Sequence, residues 1–343
     1  MKVIRLTTMS AARELLRARG TTTQAGFTSE RIPDGLFAHR PILMDDGPSH
    51  DEHRKALVRF FAPAKLDQDF IDRCARDAVD EARRAGGEAA VDEVALHYSV
   101  RVASRIVGLT HAPVEDLAQR LELFFRQPPV DHTAPDLGRT SSDWRRAAQM
   151  ALGPLISLYF RDVRPAIKER RKRPRADIIS HLLDKGYRPK EILVECLTYG
   201  TAGMVTTREF ISLACWHLML DNALRERFVI ASEKERHAIL NDLIRREPPV
   251  SHLYRRKLDD GALVDIDVQQ ANTDESHGCG LSFGDGAHRC PGSTLAIMEA
   301  DALLLALFAA NPTLESEPVL GYQSLVEGYQ VRDLTVSFPA SAS

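Results

Sequence analysis

Apolar and polar positions alternate along most of the chain with a period near 3.6 residues. That periodicity predicts helices over 8–19, over the run that follows Pro48 and stops before Pro63, and over 66–84, 92–109, 114–126, 141–172, 174–185 and 189–220. Residues 21–49 carry Gly and Pro punctuation without a sustained period and read as a long loop, a kind of segment often used for function. Alternation with period two is confined to 252–258 and 261–268, with 334–340 as a further short strand. The charge run 167–175 reads as a solvated helix end. Beyond 281, a glycine-rich turn leads into an apolar helix whose buried stripe is Leu295, Met298, Ala302 and Leu305. With no repeat or linker in sight, the expectation is one mainly α domain over 1–343 with small β accessory strands.

Composition narrows the class. A chain of 343 residues, 44% hydrophobic and 27% charged, has the make-up of a folded protein with a large core. A net charge of −3 argues against a bulk nucleic-acid binder. No run approaches the roughly 18 apolar residues of a membrane span, and the start MKVIRLTTMSAARELL lacks the apolar stretch of a secretory signal. Five scattered cysteines (Cys74, Cys196, Cys215, Cys279 and Cys290), an odd count, argue against a disulfide framework. The expected setting is cytoplasmic, without a membrane or nucleic-acid partner.

The chemistry concentrates in LSFGDGAHRCPGSTLAIMEADALLLALF, residues 281–308. Glycines at 284, 286 and 292 allow a backbone close to a flat ligand and tolerate positive φ. Cys290 then precedes a helix N-terminus, where free N–H groups and the dipole favour a thiolate. A thiolate so placed suits haem iron as an axial ligand. Two other readings stand beside this one. One is a buried structural cysteine in a tight turn. The other is a zinc site of His277, Cys279, His288 and Cys290, whose spacing differs from the usual knuckle.

The pattern Phe283-Gly284-x-Gly286-x-His288-x-Cys290-x-Gly292 resembles the haem-binding loop of the cytochrome P450 family and matches each of its fixed positions. The resemblance extends along 8–310 in order. In DDGPSHDEHRKALVRFFAP (45–63), His50 and Arg54 fall one helical turn apart and match the family's propionate-binding pair. Arg255, with Arg256 as the neighbouring alternative, matches its strand arginine, and His288 its loop histidine. Four such groups would hold two buried carboxylates. In LTYGTAGMVTTREFISLACWHLM (197–219), Ala202 and Gly203 would leave room above the iron, and Thr206 matches the family's oxygen-activating threonine.

The chain also departs from the family. Val205 stands where an acid usually precedes the threonine, which removes that half of a proton relay, and Glu209, one turn on, is the candidate substitute. The usual Glu-x-x-Arg pair is Asp242-x-x-Arg245. The N-terminus and the stretch between Arg255 and Phe283 are short, and the arginine-bearing meander of the family has no counterpart.

What the resemblance implies is a cytochrome P450-like helical fold. It implies haem b (iron protoporphyrin IX) on Cys290 and monooxygenation of a small apolar or natural-product substrate, free or carrier-bound, in secondary metabolism. Electrons would come from a separate ferredoxin or flavodoxin-type donor with its reductase, docking near Arg289. The pocket walls would come from Phe27, Phe37, Phe124, Phe125, Met204, Val205 and Leu253. A haem-thiolate enzyme using peroxide or catalysing coupling, cyclisation or rearrangement remains open, as does a haem-binding scaffold without turnover.

Overall fold

The computed structural model describes residues 2–26, 30 and 35–339, so Phe27 lies outside the described residues. The chain opens with β1 (Val3–Leu6), α1 (Met9–Arg17) and β2 (Thr22–Gln24). Helices then dominate: α2 (Pro48–Val58), α3 (Gln68–Arg84), a short β3 (Glu88–Ala90), α4 (Val91–Val107), α5 (Val114–Phe125), α6 (Ser141–Leu158), α7 (Arg164–Lys172) and α8 (Ile178–Asp184). They are followed by α9 (Pro189–Leu220), α10 (Asn222–Ile230) and α11 (Glu233–Arg246). After β4 (His252–Lys257), β5 (Leu263–Asp267) and α12 (Val268–Asn272) comes α13 (Ser293–Ala309). The last strands are β6 (Thr313–Ser316), β7 (Val319–Gln323), β8 (Gly328–Arg332) and β9 (Thr335–Ser337).

The helical periods at 66–84, 92–109, 114–126 and 189–220 become α3, α4, α5 and α9, with small shifts at the ends. The long period at 141–172 is α6 and α7 joined by one π-helical turn, Tyr159–Val163. Only 178–184 of 174–185 is helical, because Asp177 caps the helix by accepting the Ser180 N–H at 2.8 Å. The expected loop 21–49 contains a strand: β2 pairs antiparallel with β4, placing Gln24 opposite Arg255. That strand joins a four-stranded sheet in the order β1-β5-β4-β2, and two smaller sheets are β3-β9-β6 and β7-β8.

The 32-residue α9 is buried on nearly every side. Pro189 opens it, and the Glu191 carboxylate accepts the Arg188 N–H at 2.8 Å. Its C-terminal half (Phe210, Ile211, Ala214, Cys215, Leu218) joins a core with α3, α4, α11 and α13. Its N-terminal half (Ile192, Cys196, Tyr199) and Met204 join a second core with α4, α5 and α8. Helix α13 is likewise buried all round, including Ile297, Leu303, Leu304 and Leu307, so the expected narrow stripe is too small a description.

The charge run is only partly solvated. Arg170 is fully buried: Nε pairs with Asp177, and Nη2 donates to the Gly108 carbonyl (3.3 Å) and Thr110 Oγ1 (3.2 Å). Removing one partner of a buried pair strands the other charge. Arg170→Ala is expected to cost about 3–5 kcal/mol in urea unfolding. A loss under about 1 kcal/mol would mean the pair behaves as a surface bridge.

Candidate functional site

The cysteine loop is held from outside itself. Asn272 Oδ1 accepts the Leu281 N–H at 2.7 Å, Ser282 Oγ donates to the Ile244 carbonyl at 2.7 Å, and the Cys290 N–H donates to the Phe283 carbonyl at 2.7 Å. Asp285 pairs with Arg17 of α1 at 2.9 Å. Gly286 has φ +64°, and a Cβ there would stand 1.9 Å from the Leu16 carbonyl oxygen, so this glycine serves contact with α1 rather than with a ligand. Gly292 departs from the positive-φ expectation: its φ is −88°, and its lack of a Cβ keeps the space beside Cys290 Sγ and Phe61 open.

The loop forms one wall of a cavity of about 280 Å³. Cys290, Phe283, Gly284, His288 and Gly292 line it, as do Thr198, Tyr199, Ala202, Gly203, Thr206 and Thr207 of α9. Arg54, Phe61, Leu253, Tyr254 and Arg255 complete the edge, so most of the sequence-derived cofactor set converges. A second cleft of about 680 Å³, bounded partly by Arg59, Arg105 and Arg175, contains no cysteine.

Several expectations are corrected. Met204 is fully buried among core side chains, and Val205 packs against Phe125 and Leu325; neither lines the cavity. Phe124 and Phe125 belong to that same Val205 cluster, and Phe37 lies beside Lys190. None of these three phenylalanines lines the cavity. Glu209 faces away from it: its carboxylate accepts the Val331 N–H at 2.7 Å and pairs with Arg208 at 3.0 Å and Arg332 at 2.9 Å. All three partners compete with any proton-relay role.

His50 does not line the cavity but lies directly behind it, its ring 4.3 Å from that of His288. Between the two adjacent arginines, Arg255 lines the cavity while Arg256 pairs with Glu30 at 2.7 Å. Asp242 and Arg245 do form an ion pair, and Arg245 Nη1 also donates to the Glu275 carbonyl at 2.8 Å.

Burial dominates the electrostatics. It pushes the Cys290 thiol up, against the Gly292 N–H and the charges of Arg54 and Arg289, so the helix N-terminus alone does not secure a thiolate. Burial also pushes the Arg54 guanidinium down, opposed by Cys290 and Tyr199, and lowers His50 together with the charge of His288.

A haem would bring a flat apolar ring, an iron and two carboxylates. Arg54 lines the cavity, and beside it the buried His50 Nε2 and Tyr199 hydroxyl are unsatisfied among the described residues. Buried donors and cations of this kind call for an anionic ligand, and with an accessible Cys290 Sγ the residues fit the group.

Sequence reasoning missed two carboxylates at this site. Asp46 bonds both Arg255 and His288. Glu299 of α13 lines the cavity, and burial pushes it well above the usual carboxylate range, opposed only by Ser99. The neutral Glu299 acid therefore favours the fold, and that contribution is lost as pH rises above 4.5 toward the folded-state value. Glu299→Gln is expected to remove this part of the pH dependence, leaving the variant relatively more stable at pH 8 than at pH 5 in urea titrations. Equal pH slopes for the two proteins would refute the assignment.

No family model matches the chain. It is 27% identical over 344 residues to Cytochrome P450 130 of Mycobacterium tuberculosis, covering 89% of this chain and 80% of that protein. To Cytochrome P450 109 of Bacillus spizizenii it is 25% identical over 311 residues, covering 80% and 73%. Solved structures of the same fold include P450BioI in complex with hexadec-9Z-enoic acid ligated acyl carrier protein (TM-score 0.79, 19% identity, 98% of this chain and 92% of that one). Another is CYP109E1 of Bacillus megaterium with testosterone (TM-score 0.77, 22% identity, 99% and 93%). Relatives, fold and cysteine loop agree: in sequence and in structure the chain is similar to the cytochrome P450s, a family of haem-thiolate oxidoreductases.

Proposed function

We propose that the 343 residues form a single monooxygenase domain that holds haem b through Cys290 and oxidises a small, largely apolar molecule. The observation that carries this reading is the convergence of Cys290, Arg54, Arg255 and His288 on one cavity walled by the small residues Ala202 and Gly203. Bound there, a haem-thiolate group supplies the oxidising power to attack a carbon centre.

The protein's own part is binding, orientation and proton placement. Arg54, Arg255 and His288 supply charge and donors for the haem carboxylates, with His50 packed behind His288. Leu253 and Tyr254, with Ile42 and Leu43, offer apolar walls for the substrate. The Thr206 hydroxyl donates to the Ala202 carbonyl at 2.6 Å, which commits its proton to the helix and leaves its lone pairs to accept from a water or ligand. Relatives are known with acyl-carrier-bound and steroid ligands, which supports a natural-product substrate, free or carrier-bound. Exposed Arg289, next to Cys290, supports docking of an acidic ferredoxin or flavodoxin-type donor served by its reductase. Among the described residues no helix is long and apolar enough to cross a membrane, consistent with a cytoplasmic setting.

A second reading is turnover with peroxide, or a non-oxygenating reaction. It is favoured by the apolar packing of Val205 and the triple engagement of Glu209, which take both of these positions out of a relay at Thr206. The scaffold reading loses ground, because Arg245 keeps its Asp242 pair and adds main-chain bonds with Glu275 and Asn272.

Reduced wild-type protein under CO is expected to give the red-shifted band of thiolate ligation, and Cys290→Ala to lose it; a pigment unchanged by that substitution defeats the assignment. Turnover with a surrogate ferredoxin system against peroxide alone separates the two readings. Val205→Asp places a carboxylate among Phe125 and Leu325. It is expected to cost about 1–3 kcal/mol of stability without improving electron coupling, and improved coupling would show that position 205 reaches the cavity.

A further inference from the structure

Asp46 lies in the turn ahead of α2, and three segments meet on its carboxylate. Oδ2 accepts the Gln24 N–H at 2.8 Å. Oδ1 accepts from Arg255 Nη2 at 2.9 Å and stands 3.0 Å from His288 Nε2. Arg255 also donates from Nε to Thr22 Oγ1 at 3.1 Å and from Nη1 to Gln24 Oε1 at 2.9 Å. Both groups that face the haem carboxylates from this side are thus already joined through a protein carboxylate. Burial opposes the charge on Asp46, but the His288 bond, the Arg255 charge and the Gln24 N–H outweigh it and hold the carboxyl well below its usual range.

The charge balance gives the contact a consequence. Arg54 and Arg255 bring two fixed positive charges to the cavity edge, and Asp46 cancels one of them. Two haem carboxylates would therefore meet a weaker positive field than the residues lining the cavity suggest. We propose that Asp46 is a resident counter-ion of the haem-carboxylate site. It fixes the directions of Arg255 and His288 while weakening the hold on the haem carboxylates and making the haem harder to reduce.

A simple structural tie between the turn, β4 and the cysteine loop predicts the opposite for haem retention. Cutting a tie loosens the haem; removing a like charge tightens it. The proposal rests on the haem reading of the cavity, which the CO spectrum of the same samples reads separately.

The test uses the haem-loaded protein and Asp46→Asn, which keeps size and an acceptor oxygen but loses the charge. Haem release to excess apomyoglobin is expected to slow by on the order of tenfold, and the midpoint of a redox titration to move up. Asp46→Glu, which restores the charge, is expected to return both toward wild type. Release that is unchanged or faster, an unmoved midpoint, or a folded variant that takes up no haem overturns the proposal. Where Asp46→Asn does not fold, Asp46→Ser is read in the same way. A wild-type sample without the thiolate CO band would instead overturn the haem reading itself.

Discussion

A cysteine can serve as the axial ligand proposed here only if the backbone before it keeps one path, and that path is imposed by neighbours distant in sequence. The Gly286 backbone lies against the Leu16 carbonyl, Asp285 is held by Arg17, and Asn272 grips Leu281 while donating to the Arg245 carbonyl at 2.8 Å. The two Asn272 bonds satisfy backbone groups that burial would otherwise leave costly. The loop therefore depends on α1, α11 and α12 as much as on its own glycines. Cys290 gains a fixed position, but burial pushes its thiol up, so position and ionisation are separate achievements.

The cavity exists because two apolar cores share α9 and neither covers its middle. Small or hydroxylated residues (Thr198, Ala202, Gly203, Thr206) occupy the uncovered stretch, while Met204 and Val205 turn into packed clusters. A helix rotates by about 100° per residue, so a residue next to Thr206 in sequence points well away from it. That geometry, with Glu209 drawn to Arg208 and Arg332, decides how protons can reach the cavity more than the mere presence of an acid in the segment.

What was legible in the sequence follows from this. The cysteine loop, Arg54, Arg255 and Thr206 were readable because a fixed local spacing carries them. The facing of Met204, Val205 and the phenylalanines was not, because a helix apolar on every side has no periodicity to orient it. Helices α10 and α11 escaped notice through dense charge and few buried residues. Strand β2 was hidden in punctuation that resembles a loop. Asp46 was invisible for another reason: its partners lie 209 and 242 residues away, and no local pattern announces a contact of that range.

The shortened stretch before the cysteine loop has a physical replacement. Arg245 directs one donor to Asp242, a carboxylate still 40% exposed and also shared with Arg246, so that bond alone is weak. Its Nη1 is instead spent on the backbone carbonyl of Glu275, and Asn272 returns a bond to the Arg245 carbonyl. Charge-assisted bonds to backbone need no second arginine and no long segment to carry one. A carboxylate one methylene short is then tolerable at position 242, because the main-chain bonds on the far side of Arg245, not the ion pair, hold α11 against the chain entering the loop.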